Sequence, residues 1–347
     1  MKRIIKNVLI TGGSGFIGTN FIKIILKQNL ELNIYNIDKL TYASNNKNHE
    51  ASLRLPNYNF IQGDICDRDL LDEVIKKNSI DCVVHFAAES HVDRSIEGPE
   101  EFLNTNILGT FNLLQASLKQ YKLTNNFLFL HVSTDEVYGS LEIEEPSFTE
   151  KNQYLPNSPY SASKASSDML VRSWHHTFNL PTLTTNCSNN YGPYQFPEKL
   201  IPLTILNAIS NKPITIYGDG KNIRDWLYVD DHCTGILKVL ESGELGEVYN
   251  IGGNNEYKNI EIVWEICDIL DILLPINTED SKISSYKDLI TYVTDRPGHD
   301  FRYSVDSSKL KNSLNWVPQT SFNKGIRQTV EWYLKNPEWI KSVINKK

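Results

Sequence analysis

Two adjacent acidic residues, Asp135 and Glu136, stand in the stretch STDEVYG (133–139), directly after the apolar run FLFLHV (127–132). The plain interpretation is a loop before a helix, because carboxylates stabilise the first turn of a helix. The chemical interpretation is an acid and a base, since two nearby carboxyls split their pKa values and leave one protonated near neutral pH. The other motifs of the chain decide between these interpretations.

A glycine-rich loop follows the first predicted strand in ITGGSGFIG (10–18), with Gly12, Gly15 and Gly18 three residues apart. Glycine lets the backbone approach a pyrophosphate, and the helix that begins there offers free N–H groups. Asp38 ends the second predicted strand, twenty residues after Gly18. A carboxylate at that point binds adenosine ribose hydroxyls and repels a 2′-phosphate, so the pattern favours NAD over NADP.

The stretch YSASK (160–164) places a phenol and an ammonium four residues apart, on one face of a predicted helix. A nearby ammonium lowers the pKa of a phenol, and a phenolate can take a proton from a sugar hydroxyl while hydride leaves for NAD. Thr134 ends the preceding strand, where it can hydrogen-bond the same hydroxyl. The alternative is a helix in which Tyr160 and Lys164 only pack.

Short apolar runs alternate with helical patterns up to about residue 190, which predicts βαβ units and a parallel sheet. The predicted strands are NVLITGG, NIYNID, NFIQGDI, DCVVHFAA, FLFLHVST and TLTTNCSN. The fold class expected is α/β, a Rossmann-like doubly wound sheet with a smaller mixed α/β substrate-binding domain. We expect ligands at the carboxyl ends of the strands, with Asp64 near the adenine and Ala87 and Ala88 against the cofactor.

The character of the chain changes after residue 190, where glycine, proline and aromatic residues cluster and the regular alternation stops. We therefore expect an NAD-binding domain over 1–190 and a mainly sugar-nucleotide-binding region over 191–347. A returning segment near 225–253, which contains GEVYNIGG, is expected to add a strand to the first sheet.

Net charge, hydropathy and cysteine content exclude several classes of protein. The 347 residues carry a formal net charge of −7, which argues against a nucleic-acid partner, and no apolar run approaches the length of a membrane span. Five cysteines without a CxxC motif indicate free thiols in a reducing compartment, so a cytoplasmic location is expected. The eight histidines show no metal-ligand spacing, and no metal is expected.

Seven blocks, in order along nearly the whole chain, give the sequence its family resemblance. They are DKLTYA, HFAAESHVDRS, STDEVYG, NSPYSASKA, NNYGPYQFPEKLIP, YGDGKNIRDWLYV and DRPGHDFRY. The chain resembles the extended short-chain dehydrogenase/reductase superfamily and, within it, the nucleoside-diphosphate-glucose 4,6-dehydratases. Related 4-epimerases carry uncharged residues where Asp135 and Glu136 stand, and related GDP-mannose dehydratases and UDP-glucuronate decarboxylases tend to keep only the glutamate.

The resemblance implies a hydro-lyase that acts on dTDP-glucose or UDP-glucose with tightly bound NAD, regenerated in each turnover. Oxidation at carbon 4 acidifies the hydrogen on carbon 5, Glu136 removes that hydrogen as a proton, and Asp135 protonates the departing carbon-6 hydroxyl. Hydride then returns to carbon 6. The resemblance also implies a homodimer through a four-helix bundle built from the helices of Thr105 and Tyr160.

The resemblance further implies the residues of each subsite. Those expected to act in the chemistry are Thr134, Asp135, Glu136, Tyr160 and Lys164. Those expected to bind the cofactor are Gly12, Gly15, Phe16, Ile17, Gly18, Asp38, Thr41, Asp64, Ile65, Ala87, Ala88, Thr105, Tyr160, Lys164 and Asn190. Those expected to bind the substrate are Ser90, Thr134, Asn189, Lys199, Leu200, Thr215, Ile216, Tyr217, Arg224, Asn259, Asp295, Arg296, Pro297, Gly298 and His299.

Three alternatives remain open at this level. The preferred nucleotide can be the uridine rather than the thymidine form, because the two differ only by a methyl and a hydroxyl group. The enzyme can be a nucleotide-sugar 4-epimerase or decarboxylase, and Asp135 argues against both. The chain can also be a catalytically inactive sensor of NAD or nucleotide sugars, although a sensor has no need of the Tyr160–Lys164 pair.

Overall fold

The computed structural model describes residues 3–28, 31–276 and 283–344. The strands are β1 (Asn7–Thr11), β2 (Asn33–Asp38), β3 (Tyr58–Gln62), β4 (Cys82–His85), β5 (Leu128–Thr134), β6 (Thr182–Cys187), β7 (Asn189–Tyr191), β8 (Ile214–Tyr217), β9 (Ile223–Tyr228), β10 (Val248–Ile251), β11 (Glu256–Lys258), β12 (Ile290–Val293) and β13 (Arg302–Tyr303). The helices are α1 (Phe16–Gln28), α2 (Arg68–Lys77), α3 (Val92–Glu97), α4 (Glu100–Phe102), α5 (Thr110–Thr124), α6 (Pro159–Phe178), α7 (Leu200–Ile209), α8 (Val229–Ser242), α9 (Asn259–Leu273), α10 (Ser308–Leu314), α11 (Phe322–Lys335) and α12 (Pro337–Ile344).

A seven-stranded parallel sheet organises the first part of the molecule, with strand order β10-β6-β5-β4-β1-β2-β3. The order reverses direction between β1 and β4, as in doubly wound sheets whose ligands bind at that point. All seven residues of β5 are buried, because helices cover both faces of a parallel sheet, and the polar ones stand towards its carboxyl end. The predicted fold class is confirmed, and GEVYNIGG does add a strand, β10, beside β6.

Helices cover both faces of this sheet. One core cluster joins Phe21 and Ile22 of α1 to Val239 of α8, and the other joins helices α2, α5 and α6 on the opposite face. Alternate residues of β1 divide between them, since Val8 and Ile10 enter the first cluster and Leu9 the second. Each face therefore buries its own apolar layer, which fixes the sheet edge where the strands end.

The second part of the molecule has its own core. Helices α7, α9 and α11 pack around residues such as Ile205, Val263 and Ile326, all of them fully buried. Two small sheets stand beside this core, one with β11, β9, β13 and β7, the other with β8 and β12. The chain also returns to the first core after β13, because Leu310 and Trp316 pack within the cluster that contains α1 and α8.

The helix that precedes β5 changes its winding. The pattern FLNTNILGTFNLLQASLKQY predicts one regular helix, whereas the structure has α4, then a π-helical segment Leu103–Gly109, then α5. A π-helical turn adds a residue to the hydrogen-bonded ring, and such turns are frequent at functional sites. Here the segment contains Asn106, whose side chain donates to Ser163 Oγ on α6 at 2.8 Å.

Within the part of the chain that the structure describes, no helix combines the length and the apolar character needed to cross a membrane.

Candidate active site

A cleft with a volume of about 720 Å³ lies at the carboxyl ends of β1, β2, β4 and β5, between the two cores. The structure brings nearly every residue expected from the sequence to its wall. The wall residues that the sequence predicts are Gly12, Gly15, Phe16, Ile17, Gly18, Asp38, Thr41, Asp64, Ile65, Ala87, Ala88, Ser90, Thr105, Thr134, Asp135, Glu136, Tyr160, Lys164, Asn189, Asn190, Lys199, Leu200, Thr215, Ile216, Tyr217, Arg224, Asn259, Arg296 and His299.

The glycine loop is shaped by close backbone contacts. Gly12 has φ +69°, and a Cβ there would lie 2.7 Å from the backbone of Ala87. A Cβ at Gly18 would lie 2.5 Å from the carbonyl oxygen of Gly12, so the first and third glycines are required by packing. A Cβ at Gly15 would meet only the Gly12 oxygen, at 3.3 Å, and Gly15 lines the cleft. That arrangement leaves a shallow backbone cradle at the start of α1, as a pyrophosphate requires.

The acids at the ends of β2 and β3 are held in place. Asp38 accepts hydrogen bonds from the backbone N–H groups of Ser14 at 2.9 Å and Leu40 at 2.8 Å, so its carboxylate joins the glycine loop to β2. Asp64 forms an ion pair with Lys39 at 2.8 Å. Burial opposes ionisation of Asp64, but the Lys39 ammonium holds the pKa of this carboxyl below its usual range. Both carboxylates are therefore fixed at the edge of the cleft.

The two asparagines after β6 offer unused hydrogen-bonding atoms. The side-chain oxygens of Asn189 and Asn190 are buried without a hydrogen-bond partner among the described residues, and both residues line the cleft. Buried polar atoms are normally satisfied, so orphaned ones in a cleft point to a polar ligand. Together with the backbone cradle at Gly15 and the carboxylate of Asp38, they fit a dinucleotide and the sugar end of a second ligand.

The acid pair occupies a single 3₁₀ turn, Asp135–Tyr138, directly after β5. Thr134 caps this turn by accepting the N–H of Glu136 at 3.4 Å, and its hydroxyl also donates to Asp135 Oδ1 at 3.4 Å. Asp135 is 1% exposed, and burial together with the neighbouring Glu136 raises its pKa well above the ordinary value. Burial also raises the pKa of Glu136, while Lys199 and two arginines oppose that rise. Asp135 is therefore the more readily protonated member.

The turn is anchored from distant parts of the chain. Tyr138 is buried, its hydroxyl donates to Asn250 Oδ1 of β10 at 2.8 Å, and its ring stacks on Phe148 at 5.2 Å. The amide of Asn250 in turn donates to the Phe148 carbonyl at 2.9 Å. Leu141, just beyond the turn, pairs with Arg302 of β13. The position of the two acids thus depends on residues that follow them by more than a hundred positions.

The helix α6 begins at Pro159 with a capping box between Ser158 and Ser161, which fixes Tyr160 in its first turn. Both Tyr160 and Lys164 line the cleft beside Thr134. Lys164 Nζ donates to the Val132 carbonyl at 2.9 Å, and burial lowers the pKa of this lysine to about 8. Both motif residues are therefore at the strand end where the acids stand.

Burial outweighs the effect of Lys164 that the sequence predicts for the pKa of Tyr160. Lys164 was expected to lower the pKa of Tyr160, but burial and the charge of Glu136 raise that pKa well above its ordinary value. The Lys164 ammonium itself donates to the Val132 carbonyl at 2.9 Å and lies 3.5 Å from His131 Nε2. Motif spacing predicts a shared helix face, but the partner of each polar atom depends on the strand packed against that face.

Cations gather on the opposite side of the cleft. Arg224 is 5% exposed, stacks over the Tyr303 ring and donates to the backbone carbonyls of Asp300 and Phe301 at 2.9 and 3.2 Å. Arg296 donates to Asp93 at 2.9 Å, and Lys199 Nζ donates to the Ser90 carbonyl at 2.7 Å. These charges suit a diphosphate, because guanidinium and ammonium groups complement phosphate oxygens.

Three expected substrate residues, Asp295, Pro297 and Gly298, do not reach the cleft wall. Asp295 instead accepts the backbone N–H of Arg296 at 2.8 Å and bonds His299 Nδ1 at 2.6 Å, so it orients two residues that do line the wall. Pro297 and Gly298 are exposed in the turn between them, where Gly298 has φ +64°. Not every residue of a motif faces the ligand, because a tight turn directs some of its side chains towards solvent.

Other wall residues were missed at the sequence level. Glu198 lies beside Lys199, accepts the Tyr42 hydroxyl at 3.2 Å and is near His91 at 3.8 Å. Gln195 and Tyr303 also line the cleft. Glu198 and Gln195 lie in the block NNYGPYQFPEKLIP. Their place in that block is the only feature of the sequence that could have indicated a role in the cleft. Among the described residues, no group of three or more histidine, cysteine or acidic side chains is arranged to hold a metal ion.

A glycine loop after β1, a threonine-capped acid turn after β5 and a YxxxK helix that meet in one cleft define a member of the extended short-chain dehydrogenase/reductase superfamily. The family model described as GDP-mannose 4,6 dehydratase matches residues 9–329, and curated relatives narrow the assignment. The chain is 52% identical to dTDP-glucose 4,6-dehydratase of Salmonella typhimurium, over 97% of this chain and 95% of that protein. It is 51% identical to the dTDP-glucose 4,6-dehydratase of Neisseria meningitidis, over 98% and 96%. The chain belongs to the dTDP-glucose 4,6-dehydratase family.

Solved structures agree with this assignment. The dTDP-glucose 4,6-dehydratase of Bacillus anthracis in complex with NAD has a TM-score of 0.84 and 46% identity, covering 97% of this chain and 99% of that chain. The enzyme of Streptomyces venezuelae, also with NAD bound, has a TM-score of 0.88 and 42% identity with the same coverage. A UDP-glucose 4-epimerase of Thermotoga maritima shares the fold at only 26% identity, with a TM-score of 0.82.

Proposed function

We propose that this protein catalyses the NAD-dependent dehydration of dTDP-glucose to its 4-keto-6-deoxyglucose nucleotide. The observation that carries the proposal is the buried Asp135–Glu136 turn, which shares one cleft with Tyr160 and Lys164. Relatives at about half identity over nearly the full length carry the dTDP-glucose 4,6-dehydratase name, which supports the same activity here. An epimerase needs the oxidation site but has no use for the acid pair.

The cofactor site is built from the cradle at Gly15, the carboxylate of Asp38 and the floor formed by Ala87 and Ala88. NAD bound there would supply reversible hydride transfer, and it would be unchanged over a full turnover. Asp38 receives the adenosine ribose hydroxyls, which selects against a 2′-phosphate by charge repulsion.

Oxidation at carbon 4 needs a group that removes the hydroxyl proton. Tyr160 Oη accepts that proton, and Thr134 Oγ1 holds the hydroxyl by a hydrogen bond. Tyr160 must be a phenolate to accept this proton and is a phenol after the transfer. The positive charge of Lys164, on the same face of α6, favours the phenolate. Because the pKa of Tyr160 is raised in the protein alone, this electrostatic help is needed for the transfer at neutral pH.

Water loss needs a base at carbon 5 and an acid at the carbon-6 oxygen. Glu136 takes the carbon-5 proton, and Asp135, whose pKa is raised further by burial and by Glu136, donates a proton to the departing hydroxyl. The cations Lys199, Arg224 and Arg296 favour the ionised form of Glu136. The same three cations bind the diphosphate, while Thr215, Ile216 and Tyr217 flank the base.

Product mass tests this function. The purified protein, without added NAD, is expected to convert dTDP-glucose to a product lighter by one water and to prefer it in direct competition with UDP-glucose. Mass spectrometry of both reactions measures this. A product of unchanged mass would indicate epimerisation, and no product even with NAD supplied would contradict the proposal.

The outer surface of the α3–α6 region supports the proposed homodimer. Leu103 and Leu108 of the π-helical segment are 48% and 53% exposed, and Met169 of α6 is 49% exposed. These helices are packed together, and a second copy of the chain would bury the three side chains in a four-helix bundle.

Replacing Leu108 by Arg is therefore expected to shift the protein from dimer to monomer, because burying a guanidinium without a partner is costly. Light scattering after size exclusion measures the mass. The matched control is Ile272→Arg. Ile272 is 68% exposed, but its helix, α9, belongs to the second part of the molecule, away from the proposed dimer surface. A monomeric parent protein, or a dimer that persists in the Leu108 variant, would contradict this surface.

The division into an NAD-binding part, residues 1–190, and a mainly substrate-binding part, residues 191–347, is retained as a proposal. The returning segment around 225–253 supports it, since β10 completes the first sheet while β9 stays in the second. We also place the protein in the cytoplasm, which suits its five free cysteine thiols.

A further inference from the structure

A second carboxylate lies behind Lys164, one helical turn along α6. Asp168 follows Lys164 by four residues, so it shares the helix face that carries Tyr160 and Lys164. It is 3% exposed and does not line the cleft. The proposed chemistry assigns it no part, yet ionisable groups are seldom buried so completely without a partner.

His131 of β5 stands between Asp168 and Lys164. Its Nε2 lies 3.1 Å from Asp168 Oδ1 and 3.5 Å from Lys164 Nζ, while the ammonium donates to the Val132 carbonyl at 2.9 Å. Burial and the Lys164 charge hold the pKa of His131 well below its ordinary value, so the ring is neutral at pH 7. A neutral imidazole therefore separates an acid from an amine inside the protein.

The charges around this cluster come from every element packed against Lys164. The titratable groups that interact with Lys164 are His85 on β4, His131 on β5, Asp168 on α6 and Cys187 on β6. Tyr154, before α6, interacts with Asp168 in turn, and Asp135, Glu136 and Tyr160 line the same cleft as Lys164. Burial lowers the pKa of Lys164, and the Asp168 carboxylate is the first of the groups that oppose this fall. Burial raises the pKa of Asp168 to about 7, although the Lys164 charge and hydrogen bonding from Ser133 and Tyr154 oppose that rise, so Asp168 is ionised at the alkaline pH where Lys164 titrates.

We propose that Asp168 and His131 are positioning residues for Lys164: the carboxylate supplies the counter-charge that keeps the ammonium protonated, and the imidazole fixes the spacing between them. The inference rests on the proposed function, because it concerns the lysine that assists oxidation at carbon 4. The spacing matters, since a direct ion pair would draw the ammonium away from Tyr160. With His131 between them, Lys164 keeps an N–H group for the cleft that it lines.

Asp168→Asn tests the counter-charge with almost no change in volume. Without the carboxylate the pKa of Lys164 falls further, so the ammonium loses its proton at a lower pH and activity is lost from the alkaline side. We expect the alkaline limb of the kcat profile to move by about one unit towards acid, with a roughly tenfold lower kcat above the midpoint. KM for dTDP-glucose should not change, because Asp168 does not reach the cleft. His131→Phe should move the same limb in the same direction, since Asp168 then loses the polar Nε2 contact at 3.1 Å and ionises less readily.

Ser167→Ala is the matched control, because Ser167 is buried beside Asp168 and donates to the carbonyls of Asn106 and Ser163. This variant can lower stability, but its kcat profile should keep the parental pH dependence. An alkaline limb that does not move in Asp168→Asn, in an enzyme that turns over dTDP-glucose, overturns the inference and leaves the proposed function intact. No turnover by the parent protein overturns the proposed function instead.

A double-mutant cycle on the stability of the protein tests the interaction between Lys164 and Asp168 without measuring turnover. It remains informative if the Asp168→Asn variant alone does not fold. Lys164→Met leaves the Asp168 carboxylate buried without its cation, which should lower the urea midpoint of unfolding. Adding Asp168→Asn to Lys164→Met should raise that midpoint again, because both charges are then gone. A double variant with a midpoint equal to or below that of Lys164→Met would show that the two groups are not paired and would overturn the inference.

Discussion

Replacing Glu136 by Gln is expected to stop water loss while carbon-4 oxidation continues. The amide keeps the size and the backbone position of the side chain in the 3₁₀ turn but cannot remove the carbon-5 proton. The loss of one general base typically costs about 10²–10⁴ in rate. Rapid quenching with mass detection should show little dehydrated product, and reduced-cofactor absorbance should appear when substrate is added.

Exchange with deuterated water gives the same prediction a second readout. The parent enzyme places solvent deuterium on carbon 5 of the product, and the Glu136→Gln variant should lose this exchange. Glu142→Gln is the control, because Glu142 is exposed just beyond the same turn and does not line the cleft. Normal dehydration by the Glu136 variant would assign the carbon-5 base to another residue.

Replacing Tyr160 by Phe is expected to block the reaction one step earlier. The ring and its edge contact with Phe102 are kept, but no oxygen remains to accept the proton of the carbon-4 hydroxyl. We expect a fall of roughly 10²–10⁴ in kcat, without the reduced-cofactor absorbance that distinguishes Glu136→Gln. Stopped-flow absorbance during a single turnover compares the two variants directly.

Tyr292→Phe serves as the control for this change, since Tyr292 of β12 is exposed and does not itself line the cleft. Unfolding midpoints and retained NAD should match the parent protein in both tyrosine variants. A Tyr160→Phe enzyme that still reduces its cofactor on mixing would remove the phenol from the oxidation step and leave Thr134 or Lys164 to carry the proton.

Local patterns predict the sheet and the position of its site well. The apolar runs that become β1 to β6 have no other way to bury both faces, and the carboxyl ends of parallel strands must meet at one edge. For that reason Gly12, Asp38 and Thr134, which lie far apart in sequence, were expected together and do line one cleft. The strand β10 was also predicted correctly from the short run GEVYNIGG.

Interactions between distant side chains could not be predicted in the same way. The direction of the Lys164 ammonium depends on the Val132 carbonyl, and that atom is defined only once α6 packs on β5. The turn at Pro297 and Gly298 lies between Asp295 and His299, whose side chains bond each other at 2.6 Å, and the letters of the block do not show which side chains face outward. The π-helical segment at Leu103–Gly109 is likewise absent from the apolar periodicity.

The anchoring of the acid turn by Asn250 and Arg302 has a consequence for biosynthesis. A chain emerging from the ribosome makes β1 to β5 and the glycine loop early, but the partners of Tyr138 and Leu141 come more than a hundred residues later. Such long-range pairings close large loops and form late in folding. The nascent chain can therefore form β1 to β5 and the glycine loop before the proton-transfer turn is fixed, and chemistry starts only when almost the whole polypeptide has been synthesised.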